Sequence, residues 1–315
     1  MNSAPFRQLP FDELPDRPRV PHRYFEAEAR TVPVRSHHFG PIDIHCRVHG
    51  AGPPLLLVHG FMTSSYSWRY ALEPLGRHFT CYAPDLPGAG RSTKPLEAPY
   101  EPEALAIWIA EFQEAAGIRG CAVIGNSLGG YLSMRLALRD PESMSRLVNV
   151  HSPGFPEPRL YAAKHVLGLP RMVELVAWLA RRDPERWVQR NVHYYDETLK
   201  SREETREYGA PLATREGSLA FARMLVETVD PTAMGEFQTR LTALKESGAG
   251  FPVPLLLLYA ERDPMVSATM GPRFAERIPD AKFVVVPESS HFMHVDAVPR
   301  FLPPVLEFLG VNEEG

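Results

Sequence analysis

The sequence lacks any apolar run approaching the roughly 18 residues a membrane-spanning helix needs, any dense block of Lys and Arg, and any pairing pattern among its cysteines. The first absence argues against a membrane-spanning helix. The opening stretch "MNSAPFRQLPFDELPDRPRV" has no basic segment followed by an apolar run of signal-peptide length, so a cytoplasmic protein is expected. The second absence, with a formal net charge of -4, argues against nucleic acid as a partner, because neutralising phosphates takes clustered positive charge. A small, mainly apolar molecule is the expected partner. Three cysteines, Cys46, Cys81 and Cys121, fall in apolar stretches without CxxC spacing and read as reduced, buried thiols. No internal repeat or low-complexity tract is present, and nothing in the sequence specifies an oligomeric state.

What remains is an ordinary globular composition, 44% apolar and 23% charged over 315 residues. Residues 1–30 are rich in proline and charge, show no period, and read as an arm without a clear fold. Strand candidates then recur as "TVPVRSHHF", "IDIHCRVHG", "PLLLVHG", "FTCYAPD", "CAVIGN", "LVNVHS", "VPLLLLYA" and "KFVVVPES". The first two, separated by "GP", suggest an antiparallel edge hairpin. Several later ones are near-continuous apolar runs, as in parallel strands covered on both faces. Helical patterns such as "EALAIWIAEFQEAAG" lie between them. Strand and helix in alternation predict a doubly wound, mostly parallel α/β sheet of eight strands. One interval, residues 154–250, shows helical periodicity and no strand, and is expected to be a helical cap inserted into a core formed by residues 31–153 and 251–315. Its aromatics Trp178, Trp187, Tyr194, Tyr195 and Phe221 are expected mainly to pack its helices.

The stretch "CAVIGNSLGGYLSMRLAL" carries G-x-S-x-G at the join of a strand and a helix. Alone, the five-residue pattern recurs by chance roughly once in ten chains of this length. The strand-turn-helix setting is what marks it as a nucleophile elbow. Gly125 and Gly129 leave room for a tight turn, which forces Ser127 into a strained, exposed position at the N-terminus of a helix. A serine alcohol needs a base, and the base needs an orienting acid. Asp263 follows the strand "PLLLLYA" and His291 follows "FVVV", which puts all three at one edge of the sheet in the order Ser, Asp, His. His294 is the rival base; His291 is preferred because it directly follows its strand. Asp85 is the rival acid, more suited to anchoring the turn of "DLPGAGRS". The segment "LVNVHSPG" offers Asn149 and His151 but no carboxylate.

With "VHGF", "DLPGAGRS" and "SHFMHVDAVPRF" added in order, the chain resembles the cap-bearing branch of the α/β-hydrolase superfamily over residues 31–312. The last motif is similar to the family's G-H-x-x-x-x-E-x-P, with Ser290 for glycine and Asp296 for glutamate. The resemblance implies an oxyanion hole from the backbone N–H groups of Phe61 and Leu128. It implies no cofactor and no metal, and His291 with His294 lacks a third ligand nearby.

The loop "HGFMTSSYSWR" is similar to that of haloalkane dehalogenases, and "HGF" also resembles epoxide hydrolases. Both families attack with aspartate, since a serine would leave a stable ether. Phe61 also stands for the dehalogenase's halide-binding asparagine, and Leu128 for its tryptophan. Carbonyl substrates remain. Asn126 and "NVHYYDETL" resemble the carbon-carbon bond hydrolases of meta-cleavage products, but Tyr208 occupies the position of their carboxylate-binding arginine, with Arg206 two places away. The expectation is a carboxylic-ester hydrolase working through an acyl-enzyme. A carbon-carbon hydrolase is the first alternative, ahead of a lactonase, a haloperoxidase-like acyl transferase, or a non-catalytic ligand-binding protein of this fold.

Overall fold

The computed structural model describes residues 5–311. The eight stretches expected as strands form one sheet: β1 (Glu28–Ser36), β2 (Gly40–His49), β3 (Pro54–Val58), β4 (Thr80–Pro84), β5 (Ala122–Asn126), β6 (Arg146–Val150), β7 (Leu255–Ala260) and β8 (Lys282–Val286). Their order across the sheet is β1-β2-β4-β3-β5-β6-β7-β8. Strands β1 and β2 pair antiparallel through a turn at Gly40, whose φ of 69° suits glycine. β2 is also antiparallel to β4, and every later pairing is parallel.

Burial follows the sequence pattern. All six residues of β7 are buried, as are the last four of β3, β5 and β6, because helices cover both faces of the central sheet. Alternate residues of β3 serve opposite layers, Leu56 and Val58 in one apolar cluster and Leu55 and Leu57 in the other. On the first side lie α2 (Pro102–Ala115) and α3 (Leu128–Arg139); α1 (Leu72–Gly76) belongs to the second. Cys46, Cys81 and Cys121 are buried free thiols.

Between β6 and β7 the chain forms six helices and, among the described residues, no strand: α4 (Pro158–Leu167), α5 (Met172–Arg182), α6 (Pro184–Asn191), α7 (Arg202–Leu212), α8 (Arg215–Thr228) and α9 (Pro231–Ser247). Pro158, Pro184 and Pro231 open α4, α6 and α9, where the missing N–H has no intrahelical partner to lose. The core resumes with α10 (Met270–Arg277), α11 (Met293–Asp296) and α12 (Val298–Leu309).

Residues 5–27 have short 3₁₀ turns at Phe11–Glu13 and Tyr24–Glu26 and lie against the helical insertion. Their order comes from neighbours, which is why no period marks it. The free N–H groups of Arg202 and Glu203 at the start of α7 donate to the Pro15 and Asp16 carbonyls at 2.8 and 3.1 Å. Gln189 donates to the Leu9 carbonyl at 2.8 Å.

The crossing of α3 over β3 depends on one glycine. A Cβ at Gly129 would stand 2.3 Å from the Val58 carbonyl oxygen. Gly129→Ala is therefore expected to cost about 1–3 kcal/mol of stability, as overpacking a tight contact does. Urea unfolding followed by circular dichroism measures it, and an unchanged midpoint would contradict the close approach.

Candidate active site

Ser127 joins β5 to α3 with φ 53° and ψ −118°, a conformation that costs a non-glycine residue about 1–3 kcal/mol. Its surroundings fix it. The Ser127 N–H donates to the Val150 carbonyl at 2.8 Å, and a Cβ on Gly125 would lie 2.6 Å from the Gly129 backbone. Asn126 donates through Nδ2 to the His291 carbonyl at 2.9 Å, which ties the elbow to the loop after β8. Ser127 is 9% exposed, and among the described residues its Oγ makes no hydrogen bond.

Two unpaired N–H groups flank this serine. Among the described residues, neither the Phe61 nor the Leu128 backbone N–H has an acceptor. Leu128 opens α3, where free N–H groups and the helix dipole favour negative charge. Phe61 is aimed by the peptide before it. His59 Nε2 accepts from the Leu86 N–H at 2.9 Å, so its Nδ1 carries the proton and donates to the Gly60 carbonyl at 2.8 Å. Thr63 Oγ1 donates to the same oxygen at 3.0 Å. Because N–H and C=O point oppositely across a trans peptide, holding Gly60 O turns Phe61 N–H the other way. The Gly60 backbone lies against the elbow, since a Cβ there would be 3.0 Å from Ser127 Cβ.

The Asp263 side chain is buried, and its carboxylate accepts three hydrogen bonds. Oδ1 accepts from the Met265 and Val266 N–H groups at 2.6 and 2.9 Å, in the turn after β7. Oδ2 accepts from His291 Nδ1 at 2.6 Å; His151 Nε2 lies 2.9 Å from the same oxygen, with its N–H donating to the Val266 carbonyl at 3.1 Å. The proton on His151 Nε2 is fixed by geometry, because His151 Nδ1 accepts the Ala260 N–H at 2.8 Å. Burial opposes ionisation of Asp263. The charge of His291, its hydrogen bond and the nearby His151 ring overcome that, holding the carboxyl well below the usual carboxylate range. His291, with Nδ1 spent on Asp263, keeps the Nε2 lone pair for a proton.

His151 is the residue sequence reasoning passed over. "LVNVHSPG" holds no carboxylate, yet its histidine lies beside the carboxylate that follows the next strand. The signal available was a histidine directly after β6, at the same sheet edge as Asp263. His151, Asp263 and His291 each offer a donor atom within 4.8 Å of the others, as in a metal site. A tetrahedral ion with bonds of about 2.0–2.1 Å spreads its donors to roughly 3.3 Å, wider than the 2.6 and 2.9 Å separations here. The His291 and Asp263 pair suits direct N–H···O bonding.

His294 lies elsewhere. It is fully buried against Trp68 with ring centroids 4.3 Å apart, and neither ring nitrogen has a partner among the described residues. Burial, with the charges of Arg69 and His291, drives its pKa well below the ordinary value, so it packs as a neutral ring. Asp85 accepts from the Ser65 and Arg91 N–H groups at 2.7 Å each and braces the loop after β4. Asp296 accepts from the Tyr195 N–H at 2.8 Å, and burial pushes its carboxyl up to about 6.

A narrow cavity of about 30 Å³ adjoins Phe61 and is walled by Met62, Tyr208, Leu212, Phe221 and Met224. Phe61 and Phe221 stack across it at 4.9 Å. The one charged lining residue is Glu207, which Arg91 holds at 2.8 Å. Arg206 turns outward, donating to the Asp16 carbonyl at 3.1 Å. Phe221, Tyr194 and Trp187 pack as expected, whereas Trp178 is 49% exposed.

A strained residue on the turn from the central strand to a helix, with two bare N–H groups beside it, is the architecture of one family, and the profile of the alpha/beta hydrolase fold matches residues 53–298. The chain belongs to the α/β-hydrolase fold family. Among curated relatives of this α/β hydrolase, the pimeloyl-[acyl-carrier protein] methyl ester esterase of Aeromonas hydrophila is 27% identical, the match covering 83% of this chain and 97% of the relative. The 2-hydroxymuconate semialdehyde hydrolase of a Pseudomonas species is 25% identical over 82% and 88%. The unliganded epoxide hydrolase CorEH superposes with a TM-score of 0.71 at 21% identity, covering 90% of this chain and 98% of that one.

The depressed Asp263 carboxyl sets a pH dependence. Its folded pKa lies below the unfolded value of about 3.9, so its stabilisation is fully present above about pH 4 and is lost as pH falls toward the folded value. Asp263→Asn should unfold on the order of 2 kcal/mol more easily than the parent at pH 7, with the gap narrowing at pH 3. Urea midpoints at the two pH values decide it; a constant gap would mean the carboxylate is not the source.

Proposed function

We propose that the chain is a serine hydrolase of carboxylic esters with small to medium apolar groups, and that the helices α4 to α9 act as its cap. The observation that carries this reading is the pair of free N–H groups beside a strained serine, next to a cavity with no unpaired charge. Ser127 Oγ attacks the ester carbonyl carbon as its proton passes to His291 Nε2. The carbonyl oxygen, now an oxyanion, is received by the Phe61 and Leu128 N–H groups. As the carbon-oxygen ester bond breaks, His291 returns the proton to the leaving alkoxide, which leaves an acyl-Ser127. Water then gives a proton to His291 and attacks the acyl carbon, and the carboxylic acid departs as Ser127 recovers its proton. Asp263 orients His291 throughout. His151 is a positioning residue that acts through Asp263.

A substrate carboxylate has no cation to meet in this cavity. Tyr208 lines it, Arg206 is turned to residue 16, and the buried Arg69 is already held by Glu204. Burying an uncompensated carboxylate there costs several kcal/mol, which disfavours the dienol carboxylates of meta-cleavage pathways.

Ser127→Ala should lower kcat on the order of 10⁶ with the fold intact, and an organophosphonate should label the parent but not this variant. Asp263→Asn should cost roughly 10⁴ in kcat. His291→Ala should approach the serine variant, while His294→Ala costs far less; the reverse ranking would move the base to His294.

His151→Leu is expected to lower kcat roughly 10-fold, because the Asp263 carboxylate that orients His291 loses the polar ring 2.9 Å away that favours its ionised form. KM should change little, and the acidic limb of the pH-rate profile should move. A variant that loses only stability would make His151 structural. Short neutral aryl esters and a meta-cleavage dienol carboxylate give the substrate comparison. Turnover of the carboxylate at least 100-fold more efficiently would replace the ester reading with carbon-carbon cleavage.

A further inference from the structure

Exposed apolar surface is concentrated in one place. Of nine large apolar side chains exposed among the described residues, six fall between Tyr161 and Leu179, on α4, α5 and their short connection. On α5 the exposed positions are Arg171, Glu174, Leu175, Trp178, Leu179 and Arg182, a single stripe at spacings of three and four. Val176, Ala177 and Ala180 are buried on the opposite side, where α5 meets α8. On α4 and the turn beyond it, Tyr161, Val166 and Leu169 add to the exposed apolar surface, and α4 buries none of its residues. The two helices touch. Trp178 is 49% and Tyr161 54% exposed, in a chain whose other tryptophans are buried or half-buried.

The charge of this surface runs against that of the molecule. Residues 158–182 hold Arg159, Lys164, Arg171, Arg181 and Arg182 against the one carboxylate of Glu174, in a chain of net charge -4. Arg159 and Lys164 are paired with Glu157 and Asp230. Arg171, Arg181 and Arg182 have no carboxylate partner among the described residues, and the Arg182 guanidinium lies 5.6 Å from the Trp178 ring centroid. An apolar stripe carrying Trp and Leu, rimmed by unpaired guanidinium groups, matches the boundary of an anionic bilayer, where rings and methylenes enter the acyl edge and cations stay at the headgroups. A second copy fits poorly, because a two-fold contact would set this positive face against itself. No helix among the described residues is long and apolar enough to cross a membrane, so the helices would lie in the interface plane.

We propose that the outer face of α4 and α5 docks on the surface of membranes rich in anionic lipid. The proposal is independent of the ester reading and leaves the site on Ser127 unchanged.

Co-sedimentation of the full chain with vesicles tests it, using phosphatidylcholine alone and phosphatidylcholine mixed with phosphatidylserine. The chain should pellet with the mixed vesicles, less so as salt rises, with a blue shift in tryptophan emission. Leu175→Ser with Trp178→Ser, both exposed, should abolish pelleting and the shift while circular dichroism and thermal midpoint stay near the parent's. Arg171→Glu with Arg182→Glu should weaken binding at least roughly tenfold, since each lost cation is worth about fivefold. Failure of the parent to pellet with mixed vesicles overturns the proposal, as does undiminished pelleting of the Leu175 and Trp178 variant. So does a self-association in analytical ultracentrifugation that this variant dissolves without any lipid binding by the parent, which would make the face a contact between copies.

Discussion

A carboxylate placed out of water at the end of a parallel sheet must be compensated on every side, and Asp263 organises the reactive end of this molecule through that requirement. Three segments meet on it: the turn after β7, whose Met265 and Val266 N–H groups bond Oδ1; the turn after β6, which sets His151 Nε2 2.9 Å from Oδ2; and the turn after β8, whose His291 donates to Oδ2. Each segment is short and follows a strand whose register the parallel ladder fixes. Satisfying one anion therefore brings three loops to common coordinates. The His291 loop is in turn bonded to Asn126, so the proposed base and the strained serine share a frame.

A second buried charge performs the same task between core and cap. Arg69 follows the 3₁₀ turn Ser65–Trp68, only a few residues beyond Phe61, and its guanidinium is held by Glu204 of α7 with both groups out of water. Tyr194 donates to the same carboxylate at 2.6 Å, and Tyr66 and Tyr70 flank the cation at 4.6 and 4.8 Å. Such a pair adds little net stability over a well-packed apolar substitute, but losing one partner strands the other. Its consequence is positional. It fixes α7, and with it Tyr208, over the loop that carries Phe61. The N-terminal segment adds to this clamp, since His22 bonds Glu203, the neighbour of Glu204, at 2.9 Å.

Much of this was legible in the sequence because it is local. Eight apolar runs became eight strands, and the glycines of "GNSLGG" mark a backbone crossing that a single Cβ would block. The order of Ser127, Asp263 and His291 put them at one sheet edge before any coordinates did. His151 was illegible for a different reason: its role is defined by a partner more than a hundred residues away, and residue type alone pointed toward an absent acid. The path of residues 5–27 was hidden because prolines and unpaired carbonyls become ordered only by the donors of α6 and α7. Trp178 misled because a tryptophan in an amphipathic helix usually faces inward, and here α5 gives its small residues to the interior.

The cavity and the exposed face meet in a single helix. Phe221 of α8 stacks on Phe61 and narrows the cavity beside it. A group lodged there would lie against the stacked Phe61 and Phe221 rings. The far side of α7 is pinned through Glu204, and the elbow is pinned by its glycines, which leaves the α5 and α8 pair as the part of the wall with the fewest buried ionic ties. α5 packs on α8 through Val176, Ala177 and Ala180, small side chains that permit sliding more readily than interlocked large ones. Whatever engages Leu175 and Trp178 on the outside of α5 is thus separated from this cavity by two helices in direct contact. A bilayer surface, being both the docking partner proposed for that face and a reservoir of apolar esters, would present substrate at the one wall able to yield.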